Sequence, residues 1–440
     1  MTPYYEILKD PIHGYIQVFN HEIKIIDSAI FQRLRRVKQN TGVDYVYPGA
    51  THSRFSHSLG VMHIAGVFAE HLLKRIPNLS CNKKKKYYYL MRLWGLTHDI
   101  GHGPFSHTFD DIIFRPKYNT DHEKFGAKIL RECTQLPRSV ETENGIKITM
   151  DEVASLFEVK SVEEWPLRKR IGKSDIKETI FYYICRGAYS ADIIDFLLRD
   201  SYFTGAGYGN IDWKRLVFSS IPKKDKVVLD PRGEEAFDSM LLARLFMFST
   251  VYYHRTTRAA IKVITKFLSE AAQKLQAFKQ YIENIDNFKY LDEDFLLFHP
   301  DLADSLYRKQ LIERTIPYSK FEEQRRKIDI NISDKTLSSM MTQETRNRLP
   351  PELRNLPEDA FFVDTPTFKL NPLFGEEEDY IFIYDQKQPE GFRPRRILET
   401  PWATLEKRIL LMRLYIHDNY RENEQQIAQA FTQRQAGTHV

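Results

Sequence analysis

Apolar residues recur at helical spacing through most of the first 275 positions. Between Glu22 and Lys38 they fall at Ile25, Ile26, Ile30, Leu34 and Val37, which predicts a helix behind an extended stretch over 1–20. A turn-rich segment follows, from Asn40-Thr41-Gly42 to Pro48-Gly49. Residues 57–76, HSLGVMHIAGVFAEHLLKRI, carry a broad apolar stripe and predict a buried helix. Lys83–Lys86 read as the solvated start of a further helix over Tyr87–Ile100. Helical spacing returns over 150–201. Three glycines in the five residues Gly205–Gly209 disfavour both helix and strand there, and Leu241–Gln276 predicts a long helical region. Beyond about 285 the pattern changes to Pro-bounded loops, a charged stretch (Glu322–Lys327) and two strand-like runs, Ala360–Val363 and Tyr380–Tyr384. A late helix over Thr404–Asn423 and a frayed Gln-rich tail complete the reading. The pattern predicts a mostly α-helical core over 1–275, with a smaller mixed α+β lobe over 276–440 that packs on it.

Composition narrows the classes. The 440 residues are 42% hydrophobic and 28% charged, an ordinary globular mix. No run of 18 apolar residues exists, so no membrane span is expected. The N-terminal stretch lacks the basic-then-apolar order of a signal peptide, and a cytoplasmic location is expected. A net charge of +5 permits phosphate-bearing partners without demanding nucleic acid. Cys81, Cys133 and Cys185 have no CxxC spacing, which argues against both a disulfide scaffold and a thiolate zinc site. Histidine is the uneven residue: eight of the 14 (His52, His57, His63, His71, His98, His102, His107 and His122) fall between 52 and 122.

The sharpest segment is LTHDIGHGPFSHTFD at 96–110. Side chains of the adjacent pair His98-Asp99 leave a helix axis about 100° apart, so both can reach one ion lying beside it. Gly101 suits a helix stop and Pro104 the first position of the next helix. His107 and Asp110 then sit three apart on that helix, the way a carboxylate orients an acid–base imidazole. His57, which starts the buried helix, and Asp192, in the apolar run ADIIDFLLRD, are the further ligand candidates. Two imidazoles and two carboxylates suit zinc, iron, manganese, cobalt or nickel, and suit calcium poorly. A lone buried histidine is more often a satisfied core residue. Asp192 alone could pair with Arg199, although Asp195, four residues before that arginine, fits the pairing better.

These motifs resemble those of the HD-domain metal-dependent phosphohydrolases, and within them the deoxynucleoside triphosphate triphosphohydrolases. The likeness rests on DPIHG at 10–14, FQRLRRVKQ at 31–39, YPGATHSRFSHSLGV at 47–61 and LTHDIGHGPFSHTFD at 96–110. His122-Glu123, the segment 192–200 and HRTTR at 254–258 extend it. The resemblance implies metal ligands at His57, His98, Asp99 and Asp192, and catalytic residues at His107, Asp110 and His122, with His102 beside the phosphates. It implies sugar contacts from Gln39 and Asp200 and a phosphate contact from Arg54. His254, Arg255 and Arg258 align loosely with a phosphate-binding cluster. Asn40 stands where an apolar residue helps exclude a ribose hydroxyl, Phe196 where a sugar-packing tyrosine is expected, and Ile193 where a phosphate-binding lysine is expected.

The implied reaction is attack of metal-activated water on the α-phosphorus of a dNTP, releasing deoxynucleoside and inorganic triphosphate, with a second ion, magnesium, on the triphosphate. The resemblance also implies a homo-oligomer, dimer or tetramer. A guanine-nucleotide effector would then be read by Asp27, Gln32 and Arg35, three residues that can share one edge of a helix. The residues leave open another HD phosphohydrolase, acting on ribonucleotides, nucleoside monophosphates, cyclic nucleotides or nucleic-acid ends. They also leave open a nucleotide-sensing module in which catalysis is secondary.

Overall fold

The computed structural model describes residues 5–159, 161–172, 174–275, 278–328, 334–368, 380–397 and 408–433. Its centre is the Arg54–Lys74 helix, buried on nearly every side. That helix packs on the Cys81–Thr97 and Ala191–Thr204 helices. A Cβ at Gly95 would lie 2.9 Å from the backbone of Met62, so glycine sets how closely the first two helices approach. The fold is mostly helical, as the periodicity predicts, and the tightly packed bundle carries the histidine-rich segments inward.

The N-terminal extended stretch is an antiparallel hairpin, Tyr5–Asp10 with Gly14–Phe19. The helix expected over Glu22–Lys38 is broken into Asn20–Ile26, Ala29–Gln32 and a 3-10 turn at Arg33–Arg36. Ser28 causes the break: its hydroxyl donates to Ile25 O (2.6 Å) and accepts from the Phe31 amide, capping the second piece. Leu241–Gln276 is likewise two helices, Glu234–Met247 and Arg255–Lys274, joined through a π turn at Phe248–Tyr252. Pro104 does not open a helix. Phe105 and Ser106 take positive φ (61° and 54°), and the helix starts at His107.

The C-terminal region is mixed. Strands Ser220–Lys223 and Lys226–Leu229 join Tyr380–Tyr384 and Phe392–Arg396 in one four-stranded sheet. A second sheet sets Arg408–His417 between Tyr318–Ile328 and Phe361–Asp364, antiparallel to both. Two expectations fail here. Residues 408–417 form a strand, not part of a helix. Its side chains from Leu411 to Ile416 are all buried, Arg413 included, and a run without alternation does not distinguish a two-face-buried strand from a buried helix. Of the rest of that expected helix, Asp418–Asn423 is a 3-10 helix and 404–407 lie outside the described residues. The Gln-rich stretch is not frayed up to Thr432: Glu424–Thr432 is a helix that buries Ile427, Ala430 and Phe431. Residues 434–440 lie outside the described residues. Among the described residues no helix is long and apolar enough to cross a membrane.

Candidate metal and phosphate site

Three helices bring four ligand candidates together: His57, His98 and Asp99 in one tight cluster, and Asp192 at its edge beside the two imidazoles. His57 comes from the first turn of the central helix, His98 and Asp99 from the end of Cys81–Thr97, and Asp192 from the first turn of Ala191–Thr204. His57 Nε2 lies 3.0 Å from Asp192 Oδ1 and 3.8 Å from Asp99 Oδ2. His98 Nε2 lies 3.4 Å from Asp99 Oδ1 and 3.8 Å from Asp192 Oδ1. A tetrahedron with metal bonds of about 2.0–2.1 Å has edges of about 3.3 Å, close to this spacing. His98 donates its Nδ1–H to Gly95 O (2.8 Å), and its buried Nε2 has no hydrogen-bond partner. An orphaned imidazole nitrogen beside two carboxylates fits a divalent cation.

A buried network aims His57. Its Nδ1–H donates to Asp195 Oδ2 (2.8 Å), which turns Nε2 toward Asp99 and Asp192. Asp195 also receives His13 Nε2–H (2.6 Å) and a bidentate Arg199, whose guanidinium continues to Asp10. Asp10 Oδ1 in turn accepts the amides of Ile12 and His13, so the DPIHG turn is built around the support of a ligand. Against the burial that lowers it, hydrogen bonds to Asp192 and Asp195 push the His57 imidazole up to about 10. A Cβ at Gly60 would fall 1.9 Å from Asp195 Oδ1, so only glycine leaves room for this carboxylate. The Asp195–Arg199 pair follows the expected i,i+4 spacing. The links from Asp195 to His57 and His13 were not anticipated.

A second cluster stands beside the first. His102 and His122 stack at 3.7 Å between ring centroids, and His122 Nδ1–H donates to Asp110 Oδ2 (2.5 Å). His107 Nδ1 is 3.7 Å from the same oxygen, and its side chain is 70% exposed to the cleft. Burial would raise the Asp110 carboxyl, but His107 and His122 hold it well below the usual range. Burial would lower His122, and Asp110 raises it above its ordinary value instead. His102 is lowered by burial and by Arg54 and His122, so it stays a neutral imidazole. Arg54 Nη1 donates to Asp99 Oδ2 (2.6 Å) and Nε to Ser106 Oγ (2.8 Å). With burial opposing them, Arg54, His98 and His102 hold the Asp99 carboxyl well below the usual range.

Both clusters open on one cleft of about 430 Å³, lined also by Gln39, Asn40, Asp111, Phe196, Asp200 and Arg258. Gln39 Oε1 and Asn40 Nδ2 are buried and have no hydrogen-bond partner. Asp200 is engaged on both oxygens, by His52 Nε2–H (2.7 Å) and by the hydroxyl of Tyr252. Arg258 faces the cleft but is bound by Asp364. His254 and Arg255 are absent from the lining: His254 Nδ1 caps the following helix by accepting from the Thr256 amide, and Arg255 is exposed. Of the four expected cations, the cleft therefore receives Arg54 and Arg258. It receives a third that sequence reasoning missed, Arg186, whose guanidinium pairs with Glu123 (2.5 Å). Trp94, Phe157, Tyr252 and Tyr253 also line it. Nothing in their spacing separates them from core aromatics.

Asp27, Gln32 and Arg35 do not share a helix, because Asp27 ends one piece, Gln32 ends the next, and Arg35 lies in the 3-10 turn. Gln32 and Arg35 still meet, and exposed Asp27 follows the Ile26 carbonyl that Gln32 binds. Gln32 Nε2–H donates to Ile26 O (2.7 Å) and its Oε1 accepts from Arg35 Nε (2.7 Å), while Arg35 stacks on Phe55.

The comparisons agree with this architecture. The family model described as HD domain matches residues 54–171, and the model described as HD associated region matches 211–366. Residues 54–171 are thus similar to the HD domain, and the chain spans just under two thirds of the first of its curated relatives. It is 32% identical to the uncharacterised protein MJ1154 of Methanocaldococcus jannaschii over 76% of this chain and 65% of that protein. It is 26% identical to the deoxynucleoside triphosphate triphosphohydrolase SAMHD1 of Gallus gallus, over 87% of this chain and 67% of the relative. A crystal structure of a hypothetical protein from Aquifex aeolicus superposes with a TM-score of 0.71 at 25% identity, over 97% of this chain and 100% of that one. The HD core thus holds a His/Asp cluster able to bind a divalent metal.

Proposed function

We propose that the protein hydrolyses deoxynucleoside triphosphates at the α-phosphorus, giving deoxynucleoside and inorganic triphosphate. The observation that carries this reading is the cleft itself: a metal-ligand cluster, an acid–base cluster, arginines and two orphaned amide side chains share one volume of nucleotide size. His57, His98, Asp99 and Asp192 would hold a divalent cation, which would supply the Lewis acidity that makes water nucleophilic near neutral pH. Arg54 binds phosphate oxygens while fixing Asp99. His107, aimed by Asp110, donates a proton to the leaving 5′-oxygen, a poor leaving group without one. His122 holds Asp110 as an anion, and neutral His102 faces the phosphates. Gln39 Oε1 accepts a sugar hydroxyl, and Phe196 packs on the sugar. Asp200, pinned by His52 and Tyr252, closes that end. A magnesium ion would accompany the triphosphate, and Arg258 and Arg186 offset the triphosphate's charge.

A second reading is favoured by Asn40: its orphaned donor sits where a ribose hydroxyl could be held, which would admit ribonucleotides. Residues 276–440 are proposed as an oligomerisation or regulatory lobe, with guanine-nucleotide activation at the Asp27, Gln32 and Arg35 corner of a homo-oligomer. Product analysis over a panel of dNTPs, NTPs, monophosphates and short oligonucleotides tests the choice. Triphosphate release from dNTPs alone supports the first reading, and comparable turnover of ATP and dATP moves the assignment to the second.

A further inference from the structure

The segment Leu291–Glu293, outside the HD domain proper, touches the back of the cleft. Arg33 is fully buried and spends its guanidinium on three carbonyls: Leu291 O (2.9 Å), Ile100 O (3.0 Å) and His102 O (2.7 Å). It therefore ties Leu291 to the turn between the metal and acid–base clusters. Two residues on, Glu293 is 5% exposed, accepts the Lys38 amide (3.0 Å) and lies beside Phe105, whose backbone N–H neighbours its carboxyl. Lys38 precedes Gln39, and Phe105 lies two residues before His107. One carboxyl thus spans the sugar side and the acid side of the cleft.

The turn it holds is strained. Phe105 and Ser106 are consecutive non-glycine residues at φ 61° and 54°, a conformation that persists only where neighbours enforce it. The enforcing bonds all cross to the 38–41 segment or to Arg54. Thr41 Oγ1 donates to Phe105 O (2.8 Å), Ser106 Oγ donates to Lys38 O (2.8 Å), and Arg54 Nε donates to Ser106 Oγ. Glu293 adds a carboxyl to this set from another part of the chain.

We propose that Glu293 is a positioning residue: its carboxyl fixes the separation of the 38–40 segment and the 105–107 turn, and so sets where His107 meets a nucleotide held by Gln39. This rests on the hydrolase reading above. The groups facing the carboxyl are Lys38, Asp44 with its partner Arg314, and the adjacent Asp292 with its partner Arg36. Burial raises Glu293 to about 7, with Lys38 and the two amides opposing and Asp44 assisting. The carboxyl therefore loses its charge as pH falls through neutrality, and the clamp loosens on the acid side.

The test compares wild type, Glu293→Gln and Glu293→Asp in the metal-loaded full chain. In Glu293→Gln the amide NH2 opposes one of the two backbone N–H groups, so kcat for dATP is expected to fall about 10- to 100-fold with KM nearly unchanged. The acid limb that Glu293 contributes near pH 7 should vanish, and Glu293→Asp should restore part of it. Amide hydrogen exchange should quicken in 38–41 and 103–107 while 54–74 keeps its wild-type protection. Unchanged kcat and exchange would overturn the proposal. So would exchange that rises uniformly with kcat lost in proportion to the unfolded fraction, the mark of a merely structural residue. If wild type hydrolyses no nucleotide, the hydrolase reading fails separately, and local exchange in 38–41 and 103–107 still decides whether Glu293 holds these segments.

Discussion

Arg258 in the cleft wall and Asp364 in the C-terminal sheet are joined by three hydrogen bonds, the shortest 2.6 Å from Nη2 to Oδ1. Asp364 sits at the end of Phe361–Asp364, opposite Arg413 of the central strand. The arginine in the cleft wall is thus already shared with an anion from the other lobe. Replacing Asp364 with Asn leaves the shape and removes the charge. The expected result is a KM for dNTP lowered by about 2- to 10-fold, since roughly 0.5–1.4 kcal/mol of competition is relieved, together with a loss of about 1–3 kcal/mol in stability. Steady-state kinetics and urea unfolding check both. An unchanged or raised KM would show that Arg258 does not serve phosphate.

Asp195 touches no proposed substrate, yet it fixes His57 at Nδ1 and is itself held by His13 and Arg199. Asp195→Asn should weaken metal affinity about 10- to 100-fold, the usual cost of losing a carboxylate behind a histidine ligand. Competition with a chromophoric chelator, using zinc or manganese, measures this directly. Retention of wild-type affinity would show that His57 is not a ligand, or that its ring is held by packing alone.

The helical core was legible because its faces repeat at 3.6 residues and the ligand candidates sit at helix ends, where HDIGHGPFSH announces itself. Local contacts such as Asp195–Arg199 followed from i,i+4 spacing. His13–Asp195, 182 residues apart, did not, because nothing local in DPIHG indicates which buried carboxylate its histidine reaches. Arg186 was hidden for a related reason: it lies at the end of the short Tyr182–Arg186 helix, and its place in the cleft depends on Glu123. The strand at 408–417 reads as helix because both of its faces are buried from Leu411 to Ile416, which erases the alternation that identifies a half-exposed strand.

Acid–base roles are separable from metal binding. His107→Ala should retain metal and nucleotide while losing turnover about 10²- to 10⁴-fold, the range of a general acid. His122 behaves differently, since its raised pKa makes it a stability group as well. Its contribution should be fully present below its unfolded value of about 6.5 and be lost as pH rises through the higher folded value. Asp110 is depressed, so its contribution is present above about 3.9 and lost as pH falls through its folded value. The destabilisation of His122→Ala, followed by urea unfolding, should therefore be largest at about pH 5–6.5 and shrink on the alkaline side. The opposite trend would show that His122 is buried as a neutral imidazole.

Sugar selection should reside in two adjacent amides. Gln39→Ala removes an acceptor from the cleft and should reduce kcat/KM for dATP by about 1–3 kcal/mol, because the sugar hydroxyl is left unpaired. Asn40→Leu keeps the volume and removes the orphaned donor, so it should spare dATP and lower any ATP turnover. Equal effects of Asn40→Leu on both nucleotides would detach Asn40 from ribose recognition.

Assembly is the remaining proposal. Gln32 and Arg35 already bond each other, and Gln32 anchors to Ile26 O beside exposed Asp27. A guanine base at this corner must therefore work with a preformed pair. Asp27 supplies the acceptor for its N–H groups, while the guanidinium N–H groups left over on Arg35 serve its carbonyl oxygen. Sedimentation velocity with and without GTP should show a dimer or tetramer. In the same samples GTP should raise dATP hydrolysis in wild type, and Asp27→Ala should need about 10-fold more GTP for the same effect, the consequence of losing about 1.4 kcal/mol of hydrogen bonding to the base. A monomer under all conditions would refute assembly. An oligomer fully active without GTP, with Asp27→Ala indistinguishable from wild type, would keep assembly and remove the effector from this corner.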